Sequence, residues 1–389
     1  MVGKPKLVIV LSRFPYPLEK GDKLRAYHQI KHLSSEFSIY LICTTDQKIS
    51  EKHLQKLQKY CTEITIYKLN IFVQYVHVLL NYFLNKPYQV AYFYHFLIAK
   101  RIKEKLTQLK PDHIYAQLIR TSEYVKNYHD CQKTLDYMDA FSKGMERRMK
   151  KSHWWNKWTY KEEFLRLRKY EKQIFEYFEH HTIISKADRD YIFHPQNEKI
   201  LIIENGIDTE FYKSNKYEKH ATLLFTGNMS YAPNVNAATF IYKELLPFCK
   251  KNNINITICG TTPSEKLKNW NSNNYRITGY VKDIRLYYSN SFAFIAPMFL
   301  GTGLQNKILE ALSMGLPCIT TTLANQSIQA EPNKEILIAD TPIEFIDHIQ
   351  ALFSNKLLYN QLSENGREFV SKKFVWSKIN EKLVDIMRK

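Results

Sequence analysis

The chain has 389 residues, with 56 Lys and Arg against 38 Asp and Glu, a formal net charge of +18. Hydrophobic residues at 44% and charged residues at 24% are ordinary globular values, which excludes a wholly disordered or fibrous chain. At roughly 100–200 residues per domain the length predicts two domains. The basic surplus, together with 27 Tyr and 22 Phe, points to nucleic acid, an anionic membrane or a phosphate-bearing substrate as the partner.

Residues 1–200 hold 35 Lys and Arg against 21 Asp and Glu, so most of the surplus lies in the first half. After Lys4-Pro5-Lys6 the apolar run Leu7 to Leu11 is too short for a signal-peptide core and reads as a buried strand. Leu24–Leu33 follows as a helix, Ser38–Thr44 as a strand, Glu51–Tyr60 as a helix and Glu63–Tyr67 as a strand. The longest apolar stretch, Leu69 to Leu84, is interrupted by Asn70, Gln74, His77 and Asn81. It is shorter than the roughly 20 residues a spanning helix needs, so no transmembrane segment is expected. Further strands are expected at His113–Ala116, Thr134–Met138 and His181–Ser185, with a long charged helix before the last.

The pattern restarts after Asn205-Gly206, with strands expected at Thr222–Thr226, Asn255–Cys259, Tyr275–Thr278, Ala293–Pro297, Cys318–Thr321 and Glu335–Ala339. Strand–helix alternation of this kind predicts two doubly wound α/β domains, 1–200 and 201–373, with a ligand cleft near the carboxyl ends of the strands. The final helix, 374–389, is expected to pack back on the first domain. The six cysteines form no C-x-x-C pair and fit core thiols of a reducing, cytoplasmic compartment. The 13 histidines show no H-E-x-x-H or similar spacing, so no metal site is expected.

The most informative stretch runs from Phe292 to Thr321: strand, glycine loop, helix, glycine stop, strand. Gly301 and Gly303 allow close approach of a ligand, and the free amides at the helix start favour a phosphate. Lys307 and Glu310 are three apart and share one helix face. A cation near the helix start suits a diphosphate, and a carboxylate deeper in suits nucleotide sugar hydroxyls.

Gly303–Leu312, G-L-Q-N-K-I-L-E-A-L, resembles the donor site of the GT-B glycosyltransferases, in the large retaining family four. It is most similar to the exopolysaccharide-associated sugar transferases of the Stp-one type. Glu310 matches the second Glu of that family's E-x7-E motif, which holds the ribose hydroxyls, while the first Glu falls on Thr302. Phe225-Thr-Gly-Asn-Met229 with Pro233-Asn234 and Phe240 resembles the first strand and helix of the nucleotide-binding domain. Gly279-Tyr-Val281 with Asp283 resembles the turn whose backbone reads the base, and Asn205-Gly-Ile-Asp208 with Phe211 resembles the interdomain crossing. In the first domain, Phe14-Pro-Tyr-Pro17 with Lys20 to Arg25 and His28 is similar to a loop reaching the donor phosphates and the acceptor. Asp136, Asp139 and Ser142 match a D-x-x-D-x-x-S pattern of the same group.

The resemblance implies two Rossmann-like domains facing across a cleft and a metal-independent, cofactor-free transfer from a nucleotide diphosphate sugar. It implies donor contacts at Gly21, Gly227, Asn228, Gly279, Val281, Thr302, Gly303, Leu304, Gln305, Asn306, Lys307 and Glu310. Much of family four places an Arg and a Lys after the Gly227 position, whereas this chain reads Asn228-Met-Ser-Tyr-Ala-Pro-Asn234. The charge of the leaving diphosphate is therefore assigned to Lys307, the helix amides, and Arg25 or Lys23.

Other residues carry two readings. Asp136 and Asp139 either orient or deprotonate an acceptor hydroxyl or cap a helix. Gln117 and Arg120 either face the cleft or sit on a surface loop, and His28 is expected to be partly buried. Asn205 and Asp208 are expected to form turns. Residues 143–172 hold 11 Lys and Arg, 4 Glu, and Trp154, Trp155 and Trp158. That stretch, with the aromatic region Tyr75–Phe96, is either a membrane-facing surface or a solvated helix beside core aromatics. The resulting expectation is a retaining glycosyltransferase of bacterial surface polysaccharide synthesis, peripheral on the inner membrane face. Its acceptor is a saccharide or lipid-linked saccharide, with no nucleic acid partner. The alternative is a catalytically lost GT-B-like protein that binds membrane or nucleic acid.

Overall fold

In the computed structural model, which describes residues 3–83, 85–213, 220–300 and 303–388, β1 (Lys6–Leu11) is buried on both faces. Leu7, Ile9 and Leu11 pack into one apolar cluster and Val8 and Val10 into another. Side chains alternate across a strand, so a continuous apolar run belongs in the middle of a sheet covered by helices on both sides. β1 lies there, in the parallel order β3-β2-β1-β4-β5-β6-β7. The other strands are β2 (Ser38–Thr45), β3 (Glu63–Lys68), β4 (His113–Gln117), β5 (Gln132–Asp136), β6 (His180–Ile183) and β7 (Leu201–Ile202).

β5 begins two residues before the expected strand and ends at Asp136, so Asp136 is its last residue and Met138 turns away at φ +57°. Hydropathy misplaced it because Lys133 is fully buried. Its ammonium donates to the carbonyls of Lys126 at 3.1 Å and Tyr128 at 2.6 Å, so a strand position that reads as polar is internal.

The second sheet repeats the architecture as β10-β9-β8-β11-β12-β13, again parallel. Its strands are β8 (Thr222–Thr226), β9 (Asn255–Cys259), β10 (Tyr275–Gly279), β11 (Ala293–Ala296), β12 (Cys318–Thr320) and β13 (Leu337–Ile338). The strand order reverses between β8 and β11, and such a switch point opens a crevice at the carboxyl ends where ligands bind.

The chain divides into two compact units, 1–205 with 379–389, and 206–378. The last helix, Trp376–Met387, places Ile379, Leu383, Ile386 and Met387 in the first unit's core beside Ala26, Ile30 and Leu33. That i, i+4, i+7, i+8 stripe is one helix face, and each buried side chain on it contributes roughly 1.5–3 kcal/mol before ordering costs. Among the described residues no helix is long and apolar enough to cross a membrane.

Candidate functional site

The loops that leave β8, β9 and β10 meet the helix after β11 at a cavity of about 330 Å³ in the second unit. Gly227, Gly260, Gly279 and Val281 line it together with Asn228, Lys307 and Glu310. Glycine is required where β8 and β9 run out, because a Cβ on Gly260 would collide with the Gly227 carbonyl. Gly279 has φ +72°, a left-handed conformation that side chains resist. The amide of Gly227 donates to the Cys259 carbonyl at 2.9 Å and that of Gly260 to Gly279 at 3.1 Å. These glycines therefore supply room in the pocket, while their own N–H groups continue the sheet.

Lys307 and Glu310 come from the helix Asn306–Ser313, which follows β11 and buries Ile308, Leu309, Ala311 and Leu312 against the core. That burial turns positions 307 and 310 toward the cavity. The Lys307 ammonium is held by Asn234 Oδ1 and lies 5.0 Å from the centre of the Phe225 ring. Asn234 is buried and its Nδ2 donates to the Asn228 carbonyl at 2.9 Å. One amide thus spans the switch point, from the β8 side to the helix after β11. Burial lowers Lys307 to about 8.

Glu310 accepts a hydrogen bond from the Tyr288 hydroxyl at 2.9 Å and another from Tyr212. Tyr288 is fully buried and its hydroxyl also meets Thr226 at 3.0 Å. Burial pushes Glu310 up to about 7, opposed by the two tyrosines and by Lys307. The pair is a cation and a carboxylate each fixed by neutral partners and each facing the same cavity.

Gly303 stands before this helix with open space where a Cβ would be, and its carbonyl accepts from Gln305 Nε2 at 2.8 Å. No side chain caps the helix start at Gln305. Leu304 packs on the second core, and Asn306 is the first helical residue. Asn228 uses its Oδ1 on the amide and hydroxyl of Ser230, at 2.9 and 2.8 Å. Gly301 and Thr302 lie outside the described residues.

The structure brings Lys307, Glu310 and the Gly227 and Gly279 loops together. Sequence reasoning missed Asn234, Tyr288 and Tyr212 as the groups that hold the charged pair. Asn234 had a signal, since it sits seven residues after Gly227 on the next helix. The tyrosines had none, because their roles depend on hydroxyls that meet only in the fold.

In the first unit, Arg25 and Asp136 differ from the free cation and base expected of them. Both side chains are at 0% exposure. Arg25 Nε and Nη2 donate to the two Asp136 oxygens at 2.7 and 3.3 Å, and Nη1 reaches the Glu204 carbonyl and Asn205 Oδ1. Asp136 also accepts from Tyr115, Thr182 and the Met138 amide. Arg25 is internal because it ties the end of β5 to the chain segment at Glu204–Asn205. Asn205 accepts a hydrogen bond from Arg25 through its side-chain oxygen and lies in no turn, while Asp208 accepts from the Phe211 amide at 3.1 Å as a turn residue does.

Asp139, three residues on, is exposed, and local desolvation with the charges of Asp188 and Asp136 raises its pKa. Ser142 is buried, its amide and hydroxyl both held by Glu171, which burial pushes up to about 7. His28 is buried in the core. Gln117 and Arg120 are not on a surface loop. Gln117 is buried, and the Arg120 guanidinium lies 4.8 Å from the Phe93 and Phe141 ring centres, where burial lowers it to about 10. Gly21 is exposed at the start of the helix Gly21–Leu33.

Large apolar side chains on two helices are also exposed. Phe72, Tyr75, Val76 and Leu79 on the helix Ile71–Phe83, and Trp154, Trp155 and Trp158 on Trp154–Phe175, are all more than half exposed.

Residues 220–355, which carry the cavity, match the model of the family described as glycosyl transferases group 1. A relative from Klebsiella pneumoniae, an uncharacterized 44.6 kDa protein in the cps region, is 22% identical over 96% of this chain and 97% of its own length. Among solved structures, a glycosyltransferase from Rickettsia africae superposes with a TM-score of 0.65 at 14% identity, over 99% of this chain and 98% of that one. Anabaena HepE, solved with UDP and glucose, gives 0.66 at 12% identity over 98% and 99%. The architecture is the GT-B fold of two Rossmann-like units.

Proposed function

We propose that the chain is a glycosyltransferase that moves a sugar from a nucleotide diphosphate sugar to a saccharide or lipid-linked saccharide acceptor. The reaction serves bacterial surface polysaccharide synthesis and proceeds with retention, without a metal ion or cofactor. The observation that carries this reading is the joint exposure of Lys307 and Glu310 to one cavity at the switch point, within the segment matching glycosyl transferases group 1. The HepE structure holding UDP and the cps-region relative support the donor class and the pathway class.

The base is assigned to Val281, the ribose to Glu310 and the diphosphate to Gly303, Lys307 and the helix amides. A carboxylate accepts hydrogen bonds from two vicinal hydroxyls, and Tyr288 and Tyr212 fix it for that role. As the glycosidic bond breaks, charge develops on the diphosphate, and a preoriented ammonium in a poorly hydrated pocket stabilises that charge more than it stabilises the bound donor. Asp139 is assigned to orient the acceptor hydroxyl, its raised pKa bringing it nearer to the range useful for proton transfer. The exposed aromatic side chains of Ile71–Phe83 and Trp154–Phe175 are assigned to an anionic membrane, where indoles and lysines suit the interface.

The test is a thermal-shift and turnover panel of UDP-, GDP- and dTDP-sugars on the full chain. One donor stabilises the protein and is turned over, and the product anomer matches that of the donor. If none of the three stabilises it, the transferase reading fails and the catalytically lost alternative stands.

A further inference from the structure

The first unit holds a cavity of about 500 Å³ between the helix Trp154–Phe175 and the segment that runs from Asp190 to Asn197. Its walls carry two cations, Arg168 and Lys172, two acids, Glu146 and Asp190, and the rings of Phe164 and Phe193. The acids already have counter-charges. Glu146 takes Lys150 at 3.0 Å and the Tyr191 hydroxyl at 2.9 Å, and Asp190 takes Arg189 at 3.3 Å. The cations do not. Among the described residues neither Arg168 nor Lys172 makes an ion pair or a hydrogen bond, and both lie over the Phe193 ring, 4.3 and 5.5 Å from its centre. Two positive charges are therefore left over in this cavity, beside a ring that is 57% exposed.

The helix that supplies these cations extends the pattern. Trp154, Trp158, Lys161, Leu165, Arg168 and Lys172 follow one another at steps of four and three, which places all six on one side of the helix, and all six are exposed. The acids of the helix lie elsewhere: Glu163 and Glu171 are buried, and Glu162 pairs with Arg166 at 2.8 Å. Glu176, one turn past Lys172, meets His194 Nε2 at 2.7 Å. Indoles at one end, cations at the other and no acid between them make the amphipathic pattern of a helix that rests among lipid headgroups. A soluble polyanion would satisfy the cations and leave Leu165 and the indoles in water, whereas a membrane covers both.

We propose that this cavity is a headgroup site for an anionic phospholipid, the phosphate held by Arg168 and Lys172 beside the Phe193 ring while Trp154, Trp158 and Leu165 enter the interface next to it. Its volume is within the range of small-molecule sites, ~300–1,000 Å³, so a phosphate with its glycerol fits. Such a site rests on the membrane assignment given above, to which it adds a defined pocket, and it does not depend on the sugar transfer.

The experiment sediments the full chain with vesicles of phosphatidylcholine, alone or with about one third phosphatidylglycerol, at about 0.1 M salt. The chain binds the mixed vesicles and leaves the neutral ones. Arg168→Ala with Lys172→Ala weakens that binding about 25-fold, about fivefold for each cation. Phe193→Ala weakens it severalfold without removing charge. Lys52→Ala with Lys56→Ala, an exposed pair at the same spacing on the helix Glu51–Gln58, removes as much charge and changes binding less than twofold. Every altered side chain is exposed, so melting temperatures stay at the parent's value. Equal losses from the two charge pairs overturn the pocket, because attraction to the surface is then diffuse. Binding to DNA or an acidic polysaccharide that needs Arg168 and Lys172, with none to vesicles, also overturns it. A parent chain that ignores both vesicles but turns over a sugar nucleotide removes this site and keeps the transferase. Vesicle binding that needs Arg168 and Lys172, with no donor turned over, does the reverse.

Discussion

At the carboxyl edge of the first sheet, Arg25 and Asp136 face each other in a sealed, bidentate pair whose two oxygens also take Tyr115, Thr182 and a backbone amide. Near the same edge of the second sheet, Lys307 and Glu310 are held apart by neutral partners, Asn234 for the cation and two tyrosines for the acid. Both are cation and carboxylate on related folds. The difference lies in unused capacity. The first pair spends its hydrogen-bonding groups inside the protein, while the second keeps charge directed at a cavity, and burial displaces both of its pKa values. Sealed pairs specify structure; open pairs await a ligand.

The largest effect should come from breaking the sealed pair. Asp136→Ala leaves a fully buried guanidinium without its carboxylate, which costs about 3–5 kcal/mol. Urea unfolding should show the midpoint falling sharply, with sugar-nucleotide affinity intact in whatever protein remains folded. A midpoint within error of the parent would mean that the pair is not a structural anchor.

The open pair should respond in the opposite sense. Lys307→Met and Glu310→Gln are expected to leave the urea midpoint unchanged or higher. Lys307→Met should lower kcat by about 100-fold, the scale on which one preoriented charge contributes to a transition state. Glu310→Gln loses charge-assisted bonds of about 1.5–3 kcal/mol and should weaken donor binding by roughly 10- to 150-fold. Glu310→Gln with donor binding unchanged would remove the ribose from this pocket. Asn234→Ala acts one step further out. It frees the ammonium without removing it, so kcat should fall by about 10-fold while the donor dissociation constant moves less.

Much of this contrast was legible in the sequence, and the reasons differ by residue. The parallel sheets follow from continuous apolar runs such as Leu7 to Leu11, whose alternate residues serve two cores. Lys307 and Glu310 stood out because a glycine-led helix start and a three-residue spacing place them on one face. The misreading of Arg25 has an equally physical cause. An arginine at the fifth position of a helix that opens in a charged segment looks like a free cation, and only the fold brings Asp136 to it across 111 positions of sequence. The late start assigned to β5 is the same kind of error, since the buried Lys133 satisfies backbone carbonyls that hydropathy does not see. Pairing of polar groups that meet only in the fold, near or far in sequence, is what the linear pattern could not carry.

The smallest expected effect is in the pH dependence of stability, and it isolates Glu310 from the rest of the molecule. Its ordinary value is 4.5 and burial raises it to about 7 in the folded chain. Between those values the unfolded chain gives up this proton before the folded one does, so the folded state loses stability as pH rises, and the loss is complete above 7. Lys307 runs the other way. With its folded value lowered from 10.5 to about 8, its penalty is full below 8 and is relieved between 8 and 10.5. Glu310→Gln has nothing to titrate at that site. Its stability relative to the parent should therefore climb from pH 4.5 to 7 and level off before the lysine range begins. Because the carboxyl is partly open to solvent, the climb should be on the order of 1 kcal/mol. Buried groups such as His113 and His181 bend both curves alike and cancel in the difference. A flat difference across pH 4.5 to 7 would mean that the Glu310 carboxylate is as well solvated as a surface one, and the distinction drawn between the two charge pairs would then rest on geometry alone.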